Sequence, residues 1–296
     1  MTGATGTAGT TSPEGPAGRL KTVVCISALN EERTIQSVLQ QAALSGAVDE
    51  IVVVVNGSTD RTARAAREAL PSGRPEVLVK TLPERLGHDV GRSLAAAEAL
   101  ARGAEIFLFL DGDFAVAAPD IVPFRRAVES GVDVALNRLT PLWPDVWPQG
   151  PVAWARRALN VFLGRPELGL DGLTAVPHAL SRRAVETVGP AALAVPPLAH
   201  ALAVMAGLEV KSVHTVAVAV PNRPAADRPR ALPPAAVAEL ILGDHLEAIA
   251  ALIARRGPRG GFGDGGRRRD LLPEGAGWTF SPGTAGRPDP TIPAAG

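Results

Sequence analysis

An α/β fold, with a mostly parallel sheet covered by helices on both faces, is what this sequence predicts. Two observations carry that expectation. Apolar runs rich in β-branched residues occur at 22–27, 51–55, 76–81, 106–110 and 132–136, and helical stretches separate them at about 31–45, 59–70, 90–103 and 118–130. Strand and helix therefore alternate, as they do in βα units that build a parallel sheet.

Taken in order, residues 1–19 are rich in Gly, Thr, Ala and Pro and read as a disordered tail. The first strand, TVVCIS, holds Cys25, the single cysteine, which excludes an intramolecular disulfide and reads as a buried structural thiol. Asn30 is expected to cap the first helix, with Glu31 and Glu32 complementing its positive end. Asn56 to Asp60 carries turn and cap chemistry ahead of the second helix. Beyond 138 the pattern is less regular. Pro141, Pro144, Pro148 and Pro151 punctuate a loop with Trp143 and Trp147, and a helix is expected over 151–163 with proline in its first turn. A short helix follows to Val188, capped by Ser181 and stopped by Gly189. A strand at 209–220 and a helix from about 233 to 255 complete one domain over 20–255, divided near 138 into two halves. Residues 256–296 turn to Arg, Gly and Pro and read as a second tail.

Composition narrows the function. Hydrophobic residues make up 46% of 296, and thirty basic residues balance thirty acidic ones. The chain can bury a core, and its overall charge names no polyanionic partner, so nucleic acid is not expected. The start lacks the charged and apolar segments of a secretory signal, and no run is apolar enough to span a membrane, so a cytoplasmic location is the expectation. Homo-oligomers are compatible with this composition. Gly261 to Gly266 matches G-x-G-x-x-G, but no strand precedes it, and no phosphate loop of the G-x-x-x-x-G-K type occurs.

In an open parallel sheet, ligands bind outside the carboxyl ends of the strands. Four polar segments fall there: Ser27–Glu32, Val55–Asp60, Leu82–Arg92 and Asp111–Asp113. Asp111 and Asp113 flank a glycine after the apolar run IFLFL, and two carboxylates at that spacing need compensating charge. Mg²⁺ or Mn²⁺ would supply it through hard oxygen ligands while leaving positions open for a diphosphate. In the loop 85–92, two glycines allow close backbone approach and the following helix start favours an anion, which makes Arg85, His88 and Arg92 candidate diphosphate contacts.

Read together, the stretches VVCISALNEERTIQSVL, VDEIVVVVNGSTDRT and EIFLFLDGD resemble the family 2 glycosyltransferases of GT-A fold, and the resemblance covers residues 22–113. A weaker similarity, in HTVAVAVPNRP, points to glucosyl-3-phosphoglycerate synthase-like enzymes. The resemblance implies a hexosyl transfer from a nucleoside diphosphate sugar to a small or carrier-linked acceptor. It implies that Ser27, Ala28 and Glu31 lie along the base and ribose, and that Asn56, Gly57 and Ser58 border the base. It also implies that Asp111 approaches the ribose or metal and that Asp113 ligates the metal. His214 and His245 are the histidines that such a resemblance offers to the metal site. Where many inverting members carry an acidic pair this chain reads AVPPLAHALAVMAG, so Asp171 becomes the candidate base, with His178 and His200 behind it. A non-catalytic sugar-nucleotide-binding protein and a nucleotidyltransferase are the alternatives. The absence of glycine between Ser27 and Arg33 argues against the latter.

Overall fold

The computed structural model describes residues 19–71, 73, 75–87, 89–142, 150–217 and 234–271. It divides into two units, residues 1–260 and 261–296. Seven strands in the first unit form one sheet in the order β3-β2-β1-β4-β6-β5-β7. These are β1 (Thr22–Ala28), β2 (Glu50–Asn56), β3 (Glu76–Leu82), β4 (Ile106–Asp111), β5 (Val134–Asn137), β6 (His178–Ser181) and β7 (Val210–His214). β1 pairs in parallel with β2 and β4, β2 with β3, and β5 with β7. The expected α/β architecture is therefore present, with one antiparallel exception.

That exception is β6, which runs antiparallel between β4 and β5. The sequence pattern assigns no strand to His178–Leu180. Four residues give too short a pattern to distinguish a strand, and the pairing that stabilises it comes from Phe107, Leu108 and Val134, far away in sequence. The last strand is also shorter than expected: β7 ends at His214, and 218–220 lie outside the described residues.

Alternate residues of β1 face opposite layers. Val24, Ile26 and Ala28 pack into a core with α1 (Ile35–Leu44), α2 (Thr62–Arg67) and α4 (Ala118–Glu129). Val23 and Cys25 enter a second core with α3 (Val90–Ala101) and α6 (Arg182–Val188), together with α7 (Pro196–Met205). Cys25 is fully buried there, and that burial pushes its thiol pKa up, out of reach of nucleophilic use. The helix α5 (Pro151–Phe162) starts on proline, α6 is capped by the Ser181 hydroxyl accepting from Ala184 N–H, and Gly189 ends it. No helix was expected at α7, whose first residues are Pro196 and Pro197. They occupy its first turn, where the missing N–H costs nothing. The long helix α8 (Pro234–Arg256) closes a third cluster over α5 and α7, built on Leu159, Leu163, Ala201, Ala248 and Leu252.

Asn30 does not cap α1. It has φ +57°, and the first helical turn begins after Thr34. Its side chain instead accepts from the Thr59 amide at 2.8 Å, while its own N–H donates to Ser58 Oγ at 3.0 Å. Glu32 follows the same plan, since the Arg61 amide donates to Glu32 Oε2 at 3.1 Å. Asn30 and Glu32 thus stitch two loops together, while Glu31 Oε2 accepts from the Thr34 hydroxyl at 2.8 Å, at the start of α1.

In the second unit, residues 261–271 are described. Arg267 and Arg269 pair with Asp264, and Arg268 pairs with Asp270. Each arginine of that run thus has an acidic neighbour.

Candidate active site at the carboxyl edge of the sheet

The strand ends converge as the βα pattern requires. Ser27 stands in register with Asp111 across β1 and β4, and Asn56 with Leu82 across β2 and β3. Asn56 is buried and ties three strand ends together. Its Nδ2 donates to Ser27 Oγ at 3.2 Å and Ala28 O at 3.4 Å, and its Oδ1 accepts from Leu86 N–H at 3.4 Å. The loops after β1 and β2 are zipped by further bonds: Glu31 N–H to Thr62 Oγ1 at 2.7 Å and Glu32 N–H to Asp60 Oδ2 at 3.2 Å. Burial works against the Asp60 carboxylate, yet the hydroxyl and amide of Thr62 and the Glu32 amide hold its pKa below the usual range. It is an ionised hinge between the two loops.

Glycines set how closely this edge packs. A Cβ on Gly57, whose φ is +63°, would meet Arg85 Cγ at 2.5 Å and the Arg85 amide at 2.7 Å. Arg85 itself is exposed and folds over that turn. A Cβ on Gly91 would lie 2.1 Å from Ser27 Oγ, and one on Gly112 would lie 3.0 Å from Ala28 Cβ. Gly91→Ala is thus expected to push Ser27 off Asn56 and to lower the melting temperature, which a thermal melt would measure.

Arg92 is the electrostatic centre. It is 8% exposed, and its guanidinium bridges Asp89 at 2.7 Å and Asp111 at 2.6 Å. Burial alone would lower its pKa, but Asp111, Asp89 and Asp113 together raise it, so the charge is permanent. Part of the compensation that the two aspartates demand therefore comes from the chain itself. Asp89, on the same face of the first helical turn, was missed by sequence reading. Its position three residues before Arg92 was the available signal. His88 lies outside the described residues.

Below this centre His178 stacks on Phe109 with ring centroids 4.8 Å apart, and its Nδ1 lies 2.8 Å from Ala175 O. Burial, then the Arg92 charge, lowers its pKa to about 3. His200 lies elsewhere, on α7, where Nε2 meets Asn160 Oδ1 at 2.8 Å and burial lowers the pKa to about 4. Both are neutral in the folded protein near pH 7. Because their folded pKa values lie below the unfolded value of about 6.5, the unfolded chain takes up protons first as pH falls. Their contribution is complete above pH 6.5 and is lost as pH falls towards 4. Between pH 7.5 and 5 each is expected to remove about 2 kcal/mol of stability. Denaturant melts of the parent and of His200→Gln would show that slope, shallower in the variant.

The remaining candidates fall as follows. Asp171 is 3% exposed, and its Oδ1 accepts from the amides of Leu139 (2.8 Å) and Thr140 (2.9 Å) and from the Thr140 hydroxyl (2.8 Å). Its Oδ2 accepts from Ser212 Oγ at 2.5 Å. Such a carboxylate holds a loop together, with three donors on Oδ1 and one on Oδ2. His245 sits on α8 beside Arg156, its Nδ1 2.6 Å from Ile241 O, and burial lowers its pKa. His214, at the end of β7, pairs with Asp120 at 2.8 Å and packs edge-on to Phe124. Among the described residues no three His, Cys, Asp or Glu side chains form a metal cluster. Asp111 and Asp113 are two hard carboxylates at the sheet edge that could take a cation. That suits Mn²⁺ or Mg²⁺ completing its shell with diphosphate and water, and does not suit a closed all-protein site.

This mostly parallel sheet flanked by helices, with Asp111 ending β4, is of the GT-A class of α/β folds. Residues 23–141 match the model of glycosyl transferase family 2. Over 113 residues the chain is 37% identical to glucosyl-3-phosphoglycerate synthase of Mycobacterium tuberculosis, a match covering 36% of this chain and 33% of that enzyme. The enzyme of the same name from Mycolicibacterium smegmatis is 37% identical over 112 residues, 36% of this chain and 35% of its own length. The matched stretch thus spans about a third of these curated relatives. A crystal structure of the M. tuberculosis synthase, in complex with Mn²⁺, uridine diphosphate and glucosyl-3-phosphoglycerate, superposes with TM-score 0.51 at 23% identity over 84% of this chain and 83% of that one. Its complex with Mn²⁺ and UDP-glucose gives TM-score 0.51 at 22% identity, covering 84% and 82%. Among the described residues no helix is long and apolar enough to cross a membrane.

Proposed function

We propose that this chain transfers a hexosyl group from a nucleoside diphosphate sugar to a small acceptor hydroxyl, with Mn²⁺ or Mg²⁺ held by Asp111 and Asp113. The observation that carries the reading is the register of Ser27 with Asp111 beside the Asn56 bridge. It supports a nucleoside laid across the ends of β1, β2 and β4. In this reading Ala28, Glu31, Gly57 and Ser58 wall the base and ribose, and Arg85 borders the diphosphate. Asp113 holds the cation, and Arg92 orients Asp111 through the 2.6 Å contact. The cation's contribution is to offset the charge that grows on the leaving diphosphate. The anomeric carbon–oxygen bond to the diphosphate breaks, a bond to the acceptor oxygen forms, and the acceptor proton passes to a base.

Uridine is the nucleoside to test first, because the relatives named above are seen with uridine diphosphate and UDP-glucose. Calorimetric titration with UDP, GDP and dTDP, each with and without Mn²⁺, decides the matter. Metal-dependent binding of one diphosphate supports the reading, and no binding of any by the folded protein sinks it. A second reading, a protein that binds the donor without consuming it, draws on the lack of any carboxylate in α7 and on the fully engaged Asp171. Release of free diphosphate from UDP-glucose in the presence of phosphorylated small acceptors, phosphoglycerate first, separates the two.

A further inference from the structure

Arg156, on α5, carries a charge that the fold leaves unmatched. Its Nε is enclosed and has no hydrogen-bond partner. Burial lowers its pKa, and Asp171 is the nearby charge that works against this, yet no ion pair joins the two among the described residues. Asp171 is engaged instead by Leu139, Thr140 and Ser212. Arg92 makes the contrast: its guanidinium is buried as well, but two aspartates bridge it. A guanidinium drawn away from water without an anion is held at a cost in stability, and folded chains keep such groups paired. The Arg156 side chain is half-buried, so it is not sealed off from a ligand.

Its surroundings supply further donors. Arg156 stands one helical turn before Asn160 on the same face of α5. Asn160 Nδ2 holds the following loop, donating to Gly169 O at 3.0 Å and to Asp171 O at 2.9 Å. In that loop the Thr174 hydroxyl is also buried without a partner. On α8, burial lowers the pKa of His245 and the Arg156 charge lowers it further, so the two rings of charge and imidazole are neighbours. The charges acting on Arg92 are Asp111, Asp89 and Asp113, and none of these acts on Arg156. The two arginines belong to separate centres.

We propose that Arg156 anchors a site for a small oxyanion, phosphate or carboxylate, between α5, α8 and the loop 169–174, apart from the diphosphate edge. The planar fork of the guanidinium matches two oxygens of such a group, and Thr174 and His245 lie on the elements around it. The same chemistry is met whether the anion is borne by the acceptor or arrives free. Nothing in this site requires a bound sugar nucleotide, so its failure and that of the donor reading are separable.

Thermal melts of the full-length chain with inorganic phosphate, against sodium chloride of equal ionic strength, test the site. At about ten times its dissociation constant, phosphate should favour the folded state about elevenfold and raise the melting temperature by about 3–6 °C. Arg156→Met keeps the stem and removes the charge. It should melt at or above the parent's temperature without phosphate and lose the response to it. Arg156→Lys keeps the charge without the fork and should retain at most about a tenth of the affinity. Titrations with phosphoglycerate, with and without UDP and Mn²⁺, separate the two sources. Binding tighter than that of phosphate, and enhanced by UDP and Mn²⁺, marks an anion borne by the acceptor; affinity equal to that of phosphate in both conditions marks a free oxyanion. Equal phosphate responses in parent and Arg156→Met overturn the proposal, as does a parent that does not respond. So does a lower melting temperature of Arg156→Met without phosphate, because the charge would then serve the fold itself.

Discussion

Asp113→Ala is expected to abolish metal-dependent diphosphate binding and to lower sugar transfer by about 10²–10³-fold, the usual cost of removing one group that stabilises a leaving oxyanion. Stability should hardly change. The residue is half-buried, beyond the last ladder position of β4, and carries none of the core packing that Ile106 to Leu110 provides. The conservative Asp113→Asn keeps the shape and removes the charge, so it should bind a cation only weakly and fall close to the alanine variant. Calorimetry with and without Mn²⁺, alongside a thermal melt, gives the comparison. Equal diphosphate affinity in parent and variant would remove Asp113 from the metal site.

Arg92→Leu should destabilise the domain by about 3 kcal/mol. The leucine fills the buried volume, but Asp89 and Asp111 then face each other without the guanidinium that bridges them at 2.7 and 2.6 Å. The figure lies at the low end for a broken buried pair because Asp111 is 36% exposed and water screens it. Cation and guanidinium compensate the same carboxylates. Mn²⁺ should therefore raise the melting temperature of Arg92→Leu by more than that of the parent, and Asp111→Asn placed on the leucine background should recover part of the loss. Melts of the four proteins with and without Mn²⁺ would measure this. An identical metal response in parent and Arg92→Leu would separate Arg92 from the metal's charge balance.

What could be read in the sequence was whatever local chemistry decides. β1 to β4 were found within a residue or two because each is a run of apolar side chains bounded by polar turns. Ser181 and Gly189 marked α6 through cap chemistry that needs no knowledge of the rest of the chain. β6 escaped because its identity comes from its neighbours on both sides, and α7 because the same prolines that end helices also begin them. At the site the aspartates of β4 were legible, yet the role of Asn30 was not: a residue with φ +57° and a bond to Thr59 resembles a helix cap until the second loop is in place. The surroundings of Asp171 are a related case. Glycines on either side suggested an open turn, whereas four donors from 139–140 and 212 close around it.

The antiparallel β6 also dictates an order of assembly. β5 precedes it in the chain but can reach the sheet only through it, since β6 lies between β4 and β5. During synthesis the edge of β4 must therefore wait, unpaired and apolar, until residue 181 has left the ribosome, even though the matched family segment ends at 141. A fragment stopping at 141 would carry the whole nucleotide edge and still present an open sheet margin to the cell, a natural target for chaperones and for aggregation.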